Sequence, residues 1–156
     1  MRAATHATML AAMRRGLLLA AALFPLQALA DEYRSVGEGG AVLYDAPSRE
    51  ATPLYVVTAD YPLEVIVQTE HWVKVRDHMG ALSWIEKQKL GERHTVVVTA
   101  SSAEAHLRPE DGAPVAFVAV QDVALELVGQ APAGWLRVRH ADGADGYLRA
   151  SLVWGG

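Results

Sequence analysis

Two short stretches hold the residues best suited to bind something, Trp-Val-Lys-Val-Arg at 72–76 and Trp-Leu-Arg-Val-Arg at 135–139. In an extended chain successive side chains point to opposite faces. Val73 and Val75, and in the second stretch Leu136 and Val138, then face a core. Trp72 shares the other face with Lys74 and Arg76, and Trp135 shares it with Arg137 and Arg139. An indole held among cations on a polar face is a stacking surface, because the ring offers a large rigid area and attracts positive groups. Trp84 and Tyr147 adjoin Ile85 and Leu148, which places them on the same outer face. Trp72, Lys74, Arg76, Trp84, Trp135, Arg137, Arg139 and Tyr147 are therefore the candidate ligand-binding residues, and their chemistry is non-covalent recognition. The competing arrangement has each aromatic covered by the long first loop or by the other half of the chain, as peripheral core. If the platform is open, the second stretch is expected to tolerate loss of its aromatics better than the first.

Catalytic chemistry has little behind it. No Gly-x-Ser-x-Gly or His-Glu-x-x-His motif occurs, and the absence of cysteine removes thiol nucleophiles and cysteine-ligated zinc. Beyond the first thirty residues lie His71, His78, His94, His106 and His140, none at metal-ligand spacing from another. Asp142 and Asp145 bracket Gly143, but two carboxylates fall well short of the six to eight oxygens that calcium takes, so turn formation accounts for them better. No catalytic residue, metal ligand or cofactor is assigned. The alternative is a small secreted hydrolase with an unrecognised His/Asp/Glu site, tested first at His106 and His140.

The two stretches belong to an internal repeat. Trp72–Leu90 aligns without a gap on Trp135–Val153 at a spacing of 63, and the strands before them align at 62 or 63. Strands are expected at 41–45, 54–58, 63–68, 72–76 and 83–85, with one 3₁₀ turn at 86–90. In 63–68 alternation puts Leu63, Val65 and Val67 on one side and Glu64, Ile66 and Gln68 on the other. Gly80 and the Asp142-Gly143 pair supply hairpin turns. Short strands between Gly, Pro and Asp turns, with no helical period, indicate an all-β chain of two tandem small barrels. Residues 31–40, with Gly37, Gly39 and Gly40, read as a flexible lead-in. The two domains then span 41–92 and 93–156. Each repeat of about 63 residues is marginal alone. The link at 91–99 is short and contains Val96, Val97 and Val98, so the halves are expected to lean on each other.

Residues 1–30 have the form of a secretory signal. Arg14 and Arg15 precede the apolar run at 16–26, and Ala28-Leu29-Ala30 forms a small-residue cleavage site. The run is about half the length a membrane span needs, so the mature chain is expected to have no transmembrane segment. The first twelve residues have little signal character, and Met13 is a candidate start. All 18 acidic residues but only 11 of the 14 basic ones lie beyond the leader, which takes the formal charge from −4 to −7. That balance disfavours nucleic acid and anionic membranes as partners and suits a periplasmic or secreted protein.

The ordered set Leu-Glu-Leu at 125–127, Gly-Trp-Leu-Arg-Val-Arg at 134–139, Asp142-Gly143, Gly-Tyr-Leu at 146–148 and Ser-Leu-Val at 151–153 resembles the bacterial Src-homology 3 (SH3) domain. The first copy matches less well, with Ser83 where that family usually has glycine, so its closing strand is expected to differ locally. The resemblance covers 41–90 and 103–154. It implies five-stranded, partly open barrels used for binding, and some members bind cell-wall peptides. The partners it implies are a peptidoglycan stem peptide or an envelope protein. A polyproline ligand is disfavoured, because the proline and tyrosine that eukaryotic SH3 grooves use are replaced by Glu86, Arg149, Lys89 and Leu152, and Ala46 stands in place of a second tyrosine.

Overall fold

The computed structural model describes residues 32–156; the expected signal sequence lies outside them. The chain forms two antiparallel sheets, one per repeat. The first contains β1 (Tyr33–Ser35), β2 (Ala41–Tyr44), β3 (Pro53–Val57), β4 (Pro62–Gln68), β5 (Trp72–Arg76) and β6 (Leu82–Glu86). The second contains β7 (Thr95–Val98), β8 (Ser102–His106), β9 (Val115–Val120), β10 (Ala124–Gly129), β11 (Trp135–Arg139), β12 (Asp145–Arg149) and β13 (Val153–Trp154). A 3₁₀ turn follows β6 at Lys87–Lys89 and another follows β12 at Ala150–Leu152. Strand orders are β1-β4-β5-β6-β2-β3 and β13-β7-β10-β11-β12-β8-β9. Both sheets are open rather than closed barrels, with β1 and β3, and β13 and β9, at their edges.

The repeat begins earlier than the sequence suggested. Within the expected lead-in at 31–40, Tyr33–Ser35 is a strand. Tyr33, Arg34 and Ser35 pair with Glu64, Leu63 and Pro62, and Ser35 and Val36 are buried. The second repeat has the same ladder 62 residues on, with Thr95, Val96 and Val97 opposite Glu126, Leu125 and Ala124. The three valines are therefore the second repeat's first strand. They form its core wall rather than a tether, and Val96, Val97 and Val98 are completely buried. The equivalence extends to the ends, where the bridge Val36–Leu90 answers the pair Val98–Val153.

A bulge corrects the expected alternation of β4. Val65 pairs with Val75 but Val67 pairs with Lys74, so one residue is extra. Past the bulge the faces exchange, and Val67 lies on the outer face at 47% exposure. The same slip occurs between Leu127 and Gly129. Ser83 leaves the ladder intact: β6 pairs with β5 through five successive residues, in the register that β12 keeps with β11.

Each sheet encloses its own core. The first holds Val36, Leu43, Leu63, Val73, Val75 and Ile85, and the second Val96, Val98, Ala103, Ala105, Leu125, Val138 and Leu148. Full burial of one such Leu, Ile or Val contributes about 1.5–3 kcal/mol. The repeats meet along a polar seam. Thr95 Oγ1 donates to the Asp60 carbonyl at 2.7 Å and Ser35 Oγ to the Arg93 carbonyl at 2.6 Å. Arg93 pairs with Asp60 at 3.1 Å. Tyr33 meets Trp154 edge-on at 5.2 Å between ring centroids.

Candidate functional site

The outer face of β5 and β6 is where the predicted aromatics sit, and ladder register fixes their neighbours. Trp72 stands opposite Glu86, Lys74 opposite Trp84, and Arg76 opposite Leu82. Tyr44 of β2 pairs with Trp84 and meets Trp72 edge-on, 5.6 Å between centroids at 87°. The Lys74 ammonium lies 6.0 Å from the Trp84 ring. Arg76 is turned to Glu64 at 3.5 Å. The first-copy candidates therefore share a face but not a pocket.

Of the eight candidates, Trp72 alone lines a groove of about 690 Å³ on this repeat. Its walls come from two loops and a strand end. The loop between β2 and β3 supplies Pro47, Ser48, Arg49 and Glu50; the β4–β5 connection supplies Glu70 and His71; the end of β6 and its 3₁₀ turn supply Glu86, Lys87 and Gln88. The first loop is built by local capping. The Asp45 side chain accepts the Thr52 N–H at 3.0 Å, and Ser48 Oγ accepts the Glu50 N–H at 3.1 Å. Thr69 Oγ1 closes the second loop on the Trp72 carbonyl at 2.9 Å. Arg49 hydrogen-bonds Glu86 across the groove. That contact, ahead of the charge itself, holds the Glu86 carboxyl below its usual range. Sequence reasoning missed these wall residues, since the repeat spacing matches Glu86 only with Arg149, and its place opposite Trp72 comes from the β5–β6 pairing.

The equivalent face of the second repeat is organised differently, and here the expected open platform fails. Trp135 is buried, at 7% exposure. Its cross-strand partner is Arg149, whose guanidinium lies 4.2 Å from the centre of the indole. Arg149 is held there by Asp111 from the loop between β8 and β9. His106, the counterpart of Tyr44, meets the ring edge-on at 5.9 Å and is fixed by a 2.8 Å contact from Nδ1 to the Ala113 carbonyl. Alternation did put Trp135 on the outer face, but it says nothing of what lies over that face. Arg137 and Arg139 converge on Asp145 at 3.4 and 2.7 Å. Tyr147 stands opposite Arg137 and His106.

The remaining polar residues are engaged in turns and the seam. Asp142 accepts the Ala144 N–H at 2.9 Å and contacts His140 at 3.0 Å. The backbone bond, then the histidine, lowers its pKa. His78 contacts the Tyr61 hydroxyl and approaches Asp122 of the other repeat at 3.8 Å. His71 lies 3.7 Å from Glu70. No three His, Cys, Asp or Glu among the described residues are grouped to hold a metal ion.

Two repeated sheets of this topology, each with a tryptophan at the start of its fifth strand and a loop folded towards it, define a tandem binding-domain architecture. The chain belongs to the bacterial SH3 domain family, whose sequence model matches residues 37–92 and again 101–155. No curated protein matches the chain by sequence. Among solved structures it is similar to NlpC2 from Trichomonas vaginalis, with 14% identity over 81% of this chain and 49% of that one, at a TM-score of 0.37. It is also similar to an NlpC/P60 family protein from Bacillus cereus, with 15% identity over 79% and 56%, at a TM-score of 0.36. The chain thus spans about half the length of these structures. Among the described residues, no helix is long and apolar enough to cross a membrane.

Proposed function

We propose that the protein is a non-catalytic binding module of the cell envelope, periplasmic or secreted, that recognises a peptidoglycan stem peptide or an envelope protein. The observation that carries this reading is the groove of about 690 Å³ in the first repeat, with Trp72, carboxylates and cations in its lining. A short peptide with charged groups is matched by such a cleft, since an aromatic surface supplies contact area and charged rims orient the ligand. Membership of the bacterial SH3 family supports a cell-wall ligand, and the excess of acidic residues weighs against nucleic acid.

Sedimentation of the chain with purified sacculi tests the reading. Co-sedimentation that Trp72→Ala abolishes is the expected result. Absence of co-sedimentation at both low and moderate salt removes the wall and leaves an envelope protein as partner. Release of soluble muropeptides from those sacculi by the protein alone would refute the non-catalytic part.

A further inference from the structure

Four equivalent positions, the tryptophan and three around it, make up the site in each repeat. In the first they are Tyr44, Arg49, Trp72 and Glu86; in the second, His106, Asp111, Trp135 and Arg149. Ladder register confirms the match, since Trp72 opposes Glu86 as Trp135 opposes Arg149. Both repeats bind the loop to the strand with an ion pair, but the charges are exchanged. In the first the loop is the cation and the strand the anion; in the second the loop is the anion and the strand the cation.

The exchange decides what lies on the indole. Glu86 has no attraction for the ring face and turns to Arg49. Arg149 has such an attraction, and its guanidinium settles on Trp135 while Asp111 neutralises it. The loops agree with this difference. Glu50 and Glu70, which line the first groove beside Glu86, correspond to Gly112 and Ala133. The first repeat thus sets three carboxylates, with Arg49 and Lys87, in the walls beside an indole, and among the described residues no cation is stacked on that ring. The second removes them and supplies a cation of its own.

We infer that the two sites are the same receptor in two states: the second is permanently filled by Arg149, and the first takes a cationic group, an ammonium or guanidinium, from its ligand. This rests on the proposed binding role of the first groove and narrows it. The ligand's cation sits against Trp72 and is paired by Glu86, with Glu50 and Glu70 at the rim. Arg49, 66% exposed at its side chain, is the internal competitor that the ligand displaces from Glu86. The chain binds one ligand rather than two, despite its tandem architecture.

The test uses the full chain labelled with ¹⁵N, its indole signals assigned by single Trp→Phe changes. The probes are acetyl-Gly-Lys-Gly-amide and the same peptide acetylated on its side-chain nitrogen. The first probe is expected to shift the Trp72 indole with saturation and to leave Trp135 unmoved, and the acetylated probe to bind at least tenfold more weakly. The double exchange Arg49→Asp with Glu86→Arg copies the second repeat and should remove the Trp72 response while keeping an ion pair and the melting temperature. The reverse exchange, Asp111→Arg with Arg149→Glu, should create a response at Trp135. Equal shifts with both probes, no shift at Trp72, or a response at Trp135 in the unaltered chain overturns the inference. Sacculus binding tests the other claim separately. Sedimentation without a lysine-dependent shift sinks only the cation assignment, and a lysine-dependent shift without sedimentation sinks only the wall ligand.

Discussion

Tyr55 donates its hydroxyl to the Asp77 carboxylate at 2.9 Å, tying β3 to the β5–β6 turn. The second repeat has Phe117 and His140 at the same two positions, and their rings pack at 5.5 Å instead. Asp77 is buried, and its other oxygen accepts the Met79 and Ala81 N–H groups at 2.9 Å each. The two repeats also differ at residue 83, whose counterpart is Gly146. Phe117, with no hydroxyl to place, leans over Gly146, where a β-carbon would lie 3.2 Å from its ring and 2.8 Å from the Ala105 methyl. Tyr55 reaches to Asp77, and Ser83 fits in the first repeat without disturbing the ladder.

From this pair, Tyr55→Phe is expected to cost about 1.5–3 kcal/mol, the value of a hydrogen bond to a charged group. Gly146→Ala is expected to cost about 1–3 kcal/mol by overpacking. Ser83→Ala, which keeps the β-carbon, should be milder than Gly146→Ala. Urea unfolding of the three variants decides it, and an unchanged midpoint for Gly146→Ala would show that the second core has room to spare.

The tryptophans should now behave in the order opposite to the one expected of two open platforms. Trp135→Ala removes a buried ring packed by Arg149 and His106 and should destabilise by about 3–5 kcal/mol. Trp72→Ala, at a partly open groove, should cost less than half as much while abolishing ligand binding. Thermal melts of the two variants make the comparison. Equal melting temperatures would remove the structural distinction between the repeats.

One cooperative unfolding transition is expected for the whole chain. The halves share the Thr95–Asp60 and Ser35–Arg93 bonds and the Tyr33–Trp154 contact. Gly155, at φ +107°, lies so close to Pro62 that a β-carbon would stand 2.9 Å from the proline ring. Residues 31–92 and 93–156 made separately should each melt well below the intact chain. Calorimetry on the three proteins checks this, and halves that melt as high as the parent would disprove the dependence.

Acid should weaken the fold within a definite window. Hydrogen bonding to Arg49 lowers the Glu86 pKa and hydrogen bonding to Arg139 lowers that of Asp145. A carboxyl whose folded pKa is depressed contributes its full stabilisation above the unfolded value, about 4, and loses it as pH falls through the lower folded value. The urea midpoint should therefore be level above about pH 5 and drop below about pH 4. Asp145→Asn should flatten part of that drop. A midpoint that rises on acidification would contradict the ion-pair assignment.

The sequence by itself determined the repeat, the all-β class, the succession of strands β2 to β6 and the outward side of Trp72 and Trp135. These follow from local facts: a two-residue side-chain period, glycine at turns with positive φ such as Gly80 and Gly143, and self-similarity at 62 or 63 residues. Tertiary structure alone decided three things. Tyr33–Ser35 became a strand because β4 offered it an unpaired edge, which no feature of a glycine-rich lead-in announces. Val67 changed face because a bulge inserts one residue into the ladder, and periodicity cannot detect an insertion that pairing creates. The fates of Trp72 and Trp135 separated because residues at 49, 86, 111 and 149 meet only after two loops fold back. A face read from alternation gives a direction, whereas burial depends on what arrives from elsewhere in the chain, and here one exchange of charge left the first indole at an open groove and covered the second.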